Sequence, residues 1–129
     1  NNSCAYCGFS DTRLTMEHLI PFNRTNCGLH HPGNLVPCCN NCNRRKIKEG
    51  GEQDNWIEHL ELKAKDLKDF SIKKTKIQKH IKYENYPELD DREVNALKAI
   101  SNSLYESIKN EVDQQLSLYK EIDRTLVKK

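Results

Sequence analysis

The stretch Cys39-Asn-Asn-Cys-Asn-Arg-Arg-Lys46 contains two cysteines separated by two residues, and Cys4-Ala-Tyr-Cys7 near the start of the chain has the same spacing. Each pair can place two thiolates at about 2.3 Å from a tetrahedral Zn²⁺, so together they predict one closed site of four sulfurs. The 31 residues between the pairs exceed the usual spacing of about 15–20 residues. We therefore expect a structural element inserted between the pairs, with its ends joined by the metal.

The inserted segment predicts a small α+β unit. Arg13–Glu17 and Asn34–Pro37 are predicted as short strands, because each is bounded by turn-forming residues. A helix is predicted from Asn40 to Lys48, since Asn side chains favour helix starts. The resulting order is strand, long loop, strand and helix within residues 1–51.

Four residues of this segment, with the cysteines, resemble the four-cysteine, ββα-metal type of the HNH endonuclease family. Glu17 and His18 end the first strand, Asn34 begins the second, and Asn43 directly follows the last cysteine. The resemblance covers Cys4 to Ile47. It implies a zinc-stabilised ββα-metal core that hydrolyses phosphodiester bonds with the help of a second metal ion. The mainly α-helical C-terminal extension lies outside the resemblance and is predicted from the sequence pattern after residue 51.

The resemblance also implies roles for individual residues. His18 would be the general base, because a neutral imidazole with a pKa of about 6.5 can take a proton from water. Glu17 and Asn43 would give oxygen ligands to a catalytic Mg²⁺ or Mn²⁺. Asn34 would tie the two ends of the loop and so orient the general base. The implied structural zinc ligands are Cys4, Cys7, Cys39 and Cys42, and the implied substrate-binding cations are Arg44, Arg45 and Lys46.

Two positions depart from the commoner family pattern. Asn43 stands where many members have His, and Glu17 stands where many have Asp. An Asn ligand favours hard ions such as Mg²⁺ or Mn²⁺, whereas His would admit softer ions more readily. The departures therefore bear on metal preference more than on activity.

Composition and charge are consistent with a small polar protein that needs a metal to hold it together. The chain of 129 residues is 36% hydrophobic and 31% charged, with a net charge of +2. Neither a signal peptide nor a long apolar run is visible, so we expect a cytoplasmic protein that does not contact membranes. Positive charge concentrates at Arg44–Lys48 and between Lys63 and Lys82, where eight lysines face two aspartates. The resemblance implies nucleic acid as the partner, with DNA favoured over RNA, and these basic segments would give a positive field towards it.

Residues 52–129 are predicted as a helical extension. Apolar spacing predicts a helix from about Glu52 to Phe70, and the lysine-rich segment 71–86 either continues it or forms a basic connection. Pro87 is the expected break. A long amphipathic helix is predicted from about residue 90 to 127. Its apolar stripe would pack on the preceding helix, on a second copy in a homodimer, or on a larger effector partner.

The remaining cysteines, histidines and aromatic residues have simpler interpretations. Cys38 is expected to be a buried strand residue and Cys27 a loop thiol, while Trp56 anchors the extension to the core. The loop histidines, His30 and His31, are expected in solvent, with a phosphate or metal contact as the alternative. His59 and His80 are expected on helix surfaces.

Three functions compete at this point. The first is an endonuclease of the kind found in restriction or phage defence. The second is a noncatalytic zinc-stapled module that binds nucleic acid or scaffolds a partner; it would bind without turnover and does not explain why Glu17, His18 and Asn43 occur together. A dithiol redox protein is disfavoured, because one closed metal site explains both cysteine pairs.

Overall fold

The computed structural model describes residues 3–10 and 13–126. Within these ranges a two-stranded antiparallel sheet precedes three helices. Strand β1 is Thr15–His18 and strand β2 is Leu35–Cys38, paired so that Glu17 lies opposite Val36 and His18 opposite Leu35. The fold is therefore α+β, as predicted, and each strand lies within two residues of its predicted position.

The helix predicted from Asn40 to Lys48 is not formed. Backbone N–H groups of Cys42 and Asn43 both bond to the carbonyl of Cys39 in a tight turn, and the chain then runs extended to Ile47, which bridges Gln53. Closing this turn keeps the two cysteines of the pair together. The prediction was wrong because it treated the Asn residues as helix caps, whereas they stand in the turn of a metal-binding pair.

The first helix, α1, instead spans Trp56–Lys63. Asn55 accepts hydrogen bonds from the N–H groups of Ile57 and Glu58, and the Glu58 side chain bonds back to the N–H of Asn55. This reciprocal capping box satisfies several of the unpaired N–H groups of the first turn. Trp56 packs against the core cluster, as expected.

The second helix, α2, spans Leu67–Tyr83 and begins at Asp66, whose side chain accepts from the N–H of Asp69. The predicted single helix over 52–70 is thus broken between residues 63 and 67, and the basic segment after Phe70 is helical. The hydrophobic core is small and lies between the sheet, the two cysteine pairs and these two helices. Its buried members are Cys4, Tyr6, Leu19, Val36, Cys38, Cys39, Cys42, Leu60 and Ile77.

Contacts divide the chain into two compact units, Asn1–Asp90 and Asp91–Lys129. Helices α1 and α2 belong to the first unit, whereas the functional boundary after residue 51 stays a prediction. The second unit is helix α3, Asp91–Leu126, whose predicted end near residue 127 lies outside the described residues. Ten large apolar side chains on α3 are exposed: Ile100, Leu104, Tyr105, Ile108, Val112, Leu116, Leu118, Tyr119, Ile122 and Leu126.

Among the described residues, no helix combines the length and apolar character needed to cross a membrane.

Candidate active site and metal centre

The four predicted zinc ligands meet in one cluster. The Sγ atoms of Cys4, Cys7, Cys39 and Cys42 all lie within 4.8 Å of one another, and all but Cys7 are buried. The cysteine pairs are therefore positioned to bind a metal ion. Four thiolates in a closed arrangement are the donor set of a structural Zn²⁺ site.

The electrostatics of the cluster favour a bound cation. Burial raises the pKa of the Cys4 thiol, but hydrogen bonds from the backbone N–H groups of Cys39, Cys7 and Tyr6 outweigh burial and lower this pKa to about 6. Burial and the neighbouring Cys4 raise the pKa of the Cys42 thiol. Several thiolates gathered this closely repel one another, and a divalent cation removes that repulsion.

Cys27 and Cys38 lie outside the cluster, as predicted. The Cys38 side chain is buried, and burial followed by the nearby Glu17 raises the pKa of its thiol. The Cys27 thiol donates to the carbonyl of Arg24 in the loop between the strands. Neither cysteine belongs to the metal-binding group.

A cleft of about 510 Å³ brings several of the predicted site residues together. Five of them line it: Glu17, His18, Asn43, Arg44 and Arg45. The other lining residues are Met16, Pro21, Phe22, Asn23 and Gln53. Asn34 and Lys46 are not among the lining residues. The strand end, the loop after it and the segment after the last cysteine thus converge on one depression.

His18 lies at the end of β1, and a second histidine contacts it. Its Nε2 is 3.0 Å from Nδ1 of His30, and its ring stacks on Phe22 with centroids 5.4 Å apart. Burial, followed by the proximity of His30, lowers the pKa of His18. The ring is therefore neutral near pH 7 and can act as a proton acceptor.

His30 was not among the predicted site residues. It remains exposed, as expected for a loop histidine, but its ring contacts His18 twelve residues earlier in the chain. Its pairing depends on how the loop closes, and no local sequence motif encodes that closure. Two adjacent histidines in a long loop are the only signal available, and that signal does not distinguish His30 from His31.

Asn34 closes this loop. Its Oδ1 accepts from the N–H of Ile20 at 2.7 Å, and its Nδ2 donates to the carbonyls of Ile20 and Leu29 at 2.9 and 2.8 Å. These bonds join the residues that follow His18 to the residue that precedes His30. The geometry is the loop-tying arrangement expected of this residue.

Arg45 occupies a buried position instead of facing substrate. Its side chain is 2% exposed, and its Nε lies 2.6 Å from Glu17 Oε1. Its two terminal nitrogens donate to four further acceptors: the carbonyls of His18, Leu19 and Asp54, and the hydroxyl of Tyr6. The expected phosphate contact of Arg45 does not agree with this position, because every donor of the guanidinium is directed inward.

Glu17 and Asn43, the residues expected to bind the catalytic ion, each have one side-chain oxygen that could serve as a ligand. Glu17 Oε2 is buried and has no hydrogen-bond partner among the described nitrogen and oxygen atoms, although the Cys38 thiol lies near the carboxylate. Asn43 Nδ2 donates to Thr15 Oγ1 at 2.9 Å, which leaves the amide oxygen as its metal-binding atom. Thr15 and Glu17 point to the same face of β1, because they are two residues apart. Carboxylate and amide oxygens are the type of donor that a hard divalent ion prefers.

The histidines of α1 and α2 do not project freely into solvent, contrary to expectation: His59 is buried, and His80 is half-buried. His59 is 2% exposed and its Nε2 donates to the carbonyl of Cys42 at 2.7 Å. His80 Nε2 lies 3.1 and 3.0 Å from the carbonyls of Pro32 and Leu35. The His59 ring thus ties α1 to the second cysteine pair, and the His80 ring ties α2 to Pro32, just before β2, and to the first residue of β2.

Comparison with known proteins agrees with this geometry. Residues 4–49 match the family model for HNH endonuclease, a span that includes both cysteine pairs, His18, Asn34 and Asn43. No curated protein and no solved structure matches the chain. With four cysteines gathered as a metal site and a histidine at the end of the first strand, residues 4–49 form an HNH domain, which supports a nuclease-type function.

Proposed function

We propose that this protein is a metal-dependent endonuclease that hydrolyses phosphodiester bonds in DNA, with His18 as general base. The observation that carries the proposal is the cleft in which a neutral His18 lies beside Glu17 and Asn43. A phosphodiester resists hydrolysis because it repels nucleophiles and has a poor leaving group. The reaction therefore needs an activated water molecule and positive charge near the phosphate.

His18 would take the proton from water, and His30 would hold the His18 imidazole ring in place. At a separation of 3.0 Å, one ring nitrogen must donate and the other must accept. When His18 Nε2 donates to His30, the lone pair of His18 is on Nδ1, where it can accept a proton. Once His18 is protonated, the same bond to a neutral His30 persists and spreads the charge. We propose His30 as a positioning residue.

Glu17 and Asn43 would hold the catalytic Mg²⁺ or Mn²⁺ through Glu17 Oε2 and the Asn43 amide oxygen. Such an ion stabilises negative charge that develops on the phosphate and the leaving oxygen. Arg45 already binds the other carboxylate oxygen of Glu17, so it fixes the orientation of this ligand.

Arg44 lines the cleft and is exposed, and Lys46 is exposed beyond it. These two side chains are the proposed phosphate contacts. Arg45 is proposed to support the site from beneath, without touching substrate. The biological setting, restriction or phage defence, remains a prediction.

Cleavage of supercoiled plasmid and of single-stranded DNA with Mg²⁺ or Mn²⁺ tests the proposal. His18→Ala should lower the cleavage rate by about 10²- to 10⁴-fold, the usual contribution of a general base. Met16→Ala is a matched control, because Met16 lines the same cleft but has no proposed role. Both variants should keep one zinc ion per chain. Wild-type protein that cuts neither substrate, or His18→Ala that cuts normally, would contradict the proposal.

Two further measurements separate the roles of the histidines. Cleavage should fall as the pH drops through the pKa of His18, and this fall should lie below pH 6.5, because burial lowers that pKa. His30→Ala should reduce the rate, and His30→Asn should restore part of it, since an amide can replace the Nδ1 hydrogen bond. Equal loss in both His30 variants would contradict a positioning role.

A noncatalytic nucleic-acid-binding module is the second candidate, favoured by the Glu17–Arg45 ion pair. The guanidinium neutralises the carboxylate that would otherwise attract a metal ion. This candidate predicts DNA binding that weakens steeply with salt and no turnover with any divalent ion.

A further inference from the structure

Helix α2 has an outer face formed almost entirely by lysine and uncharged side chains. With 100° per residue, Lys68, Lys76, Lys79 and Lys82 fall within an arc of about 120°, and we call these four residues the basic face. All four are exposed. At 1.5 Å per residue, the basic face extends about 21 Å along the helix.

The basic face is not neutralised within the protein. The carboxylate of α2, Asp69, lies outside the arc and pairs with Lys73 at 2.6 Å. Among the described residues, no ion pair shorter than 4.0 Å involves a lysine of the basic face. Glu88, beyond the end of the helix, is an acidic neighbour that shares a surface cavity with Lys82.

This arrangement opposes helix stability. Lys76, Lys79 and Lys82 follow one another at i,i+3 spacing, where like charges repel. Helix α3 differs, since its acidic and basic residues are mixed along its length. An unfavourable row of like charges on one helix is explained if a polyanion binds there.

The opposite face of α2 holds the helix firmly. Ile77 is buried in the core and Phe70 packs against it, while His80 bonds to the carbonyls of Pro32 and Leu35. Just past the helix, the Tyr86 hydroxyl accepts from the N–H of Leu29, next to His30. The end of the basic face is therefore attached to the loop that contributes to the proposed active site.

We propose that the basic face binds the phosphate backbone of duplex DNA and holds the substrate of the HNH domain. Duplex DNA carries one charge per about 1.7 Å of axis, so a straight row of lysines about 21 Å long faces many phosphates at once. A flexible single strand has no fixed shape to match such a row. That the bound duplex is the substrate rests on the proposed endonuclease function. Binding of duplex DNA to the basic face does not depend on cleavage and is measured without it.

The test measures binding of a labelled DNA duplex to the full chain by fluorescence anisotropy, without divalent ions, between 50 and 200 mM salt. Replacement of all four lysines by Gln should reduce the slope of log K against log salt by about 3 to 4, since each phosphate contact contributes about 0.9. Wild-type affinity should then fall roughly a hundredfold more than that of the variant across this range. Gln is nearly as good a helix former as Lys, so circular dichroism and zinc content should not change.

A charge-matched pair of double variants provides the control. Lys76→Gln with Lys79→Gln should lower the slope by about 2, whereas Lys109→Gln with Lys120→Gln, on exposed positions of α3, should leave it unchanged. Equal slopes for both double variants would overturn the proposal. The quadruple variant is also compared with the wild type for binding to single-stranded RNA and to anionic phosphatidylserine vesicles. If the variant loses binding to either of these but still binds duplex DNA like the wild type, the proposal is overturned as well.

Cleavage assays distinguish this inference from the proposed function. If the quadruple variant cuts with a raised KM and an unchanged kcat, both hold. If wild-type protein binds duplex DNA through these lysines but never cuts it, the endonuclease proposal is wrong and the proposal that the basic face binds DNA is supported. If wild-type protein cuts and the quadruple variant has the same KM and salt slope, the basic face is wrong and the endonuclease stands.

Discussion

Arg45 connects most of the candidate active site through one side chain. A guanidinium has five N–H donors, and this one has five acceptors: the Glu17 carboxylate, three main-chain carbonyls and the Tyr6 hydroxyl. Two of those carbonyls belong to His18 and Leu19, at the end of β1. The position of the proposed base therefore depends on a residue that does not touch substrate.

Replacement of Arg45 by Lys should destabilise the protein by about 1 to 3 kcal/mol for each buried acceptor that is left without a partner. A single ammonium group cannot reach five acceptors in a planar fork, so buried carbonyls would lose their partners. Urea unfolding monitored by circular dichroism measures the change. Arg44→Lys is the neighbouring control and should stay within about 0.5 kcal/mol, because Arg44 is exposed. Similar stability of the two variants would show that the Arg45 network contributes little.

Sequence reasoning identified the residues whose chemistry is unusual and missed those whose role depends on burial. The cysteine spacing predicted the metal cluster, and the resemblance to HNH endonucleases predicted the place of His18 at a strand end. Arg44 and Arg45 are identical in type and adjacent in sequence, yet the first is exposed and the side chain of the second is buried. Only the tertiary fold distinguishes them, and the same holds for His59 and His80.

At the level of elements, the strands and the long helix were predicted well, but the helix predicted from Asn40 to Lys48 is not formed. Alternation and turn residues mark short strands, and apolar spacing over 36 residues marks α3. The segment from Asn40 to Lys48 has the polar composition of a helix surface. It is instead shaped by the cysteine turn, while the capping box at Asn55 and Glu58 marks the true helix start.

The loop between the strands makes one very close backbone approach, at Gly28. A Cβ at this position would lie 2.0 Å from the carbonyl oxygen of Ile20 and 2.8 Å from that of Pro21. Only glycine allows the chain to pass there, close to the point where Asn34 ties the loop.

Gly28→Ala should therefore displace the loop that carries His30 and lower the cleavage rate by at least tenfold, while zinc binding is retained. Gly50→Ala is the comparison, because Gly50 has a positive φ but no neighbouring atom within 4 Å of an added Cβ. That variant should lose about 1 kcal/mol of stability and keep its activity. Cleavage assays and metal analysis of both variants measure the difference. Normal cleavage by Gly28→Ala would mean that the loop position does not control the site.

At the scale of the whole molecule, stability depends on the metal cluster and on few apolar contacts. Three of the nine buried residues of the core cluster are cysteines that gather at the metal site, and the fourth cysteine of that site, Cys7, packs against the cluster. Without a metal, thiolates in this cluster would repel one another and the 31-residue insertion would lose its closure. The partner that the sequence predicts for the apolar stripe of α3 stays a prediction.

Zinc removal should unfold the HNH domain together with the packing of α1. Structural zinc contributes about 10 to 16 kcal/mol in small domains, more than a core of this size can replace. Trp56, the single tryptophan, packs against the core cluster, so its emission should shift to longer wavelength on chelation and return when Zn²⁺ is added. Cys39→Ser should behave like the chelated protein, whereas Cys27→Ser should bind one zinc per chain and fluoresce like the wild type. If chelation released zinc without changing the Trp56 emission, the domain would fold without its metal, and the ion at the four cysteines would have to serve another purpose.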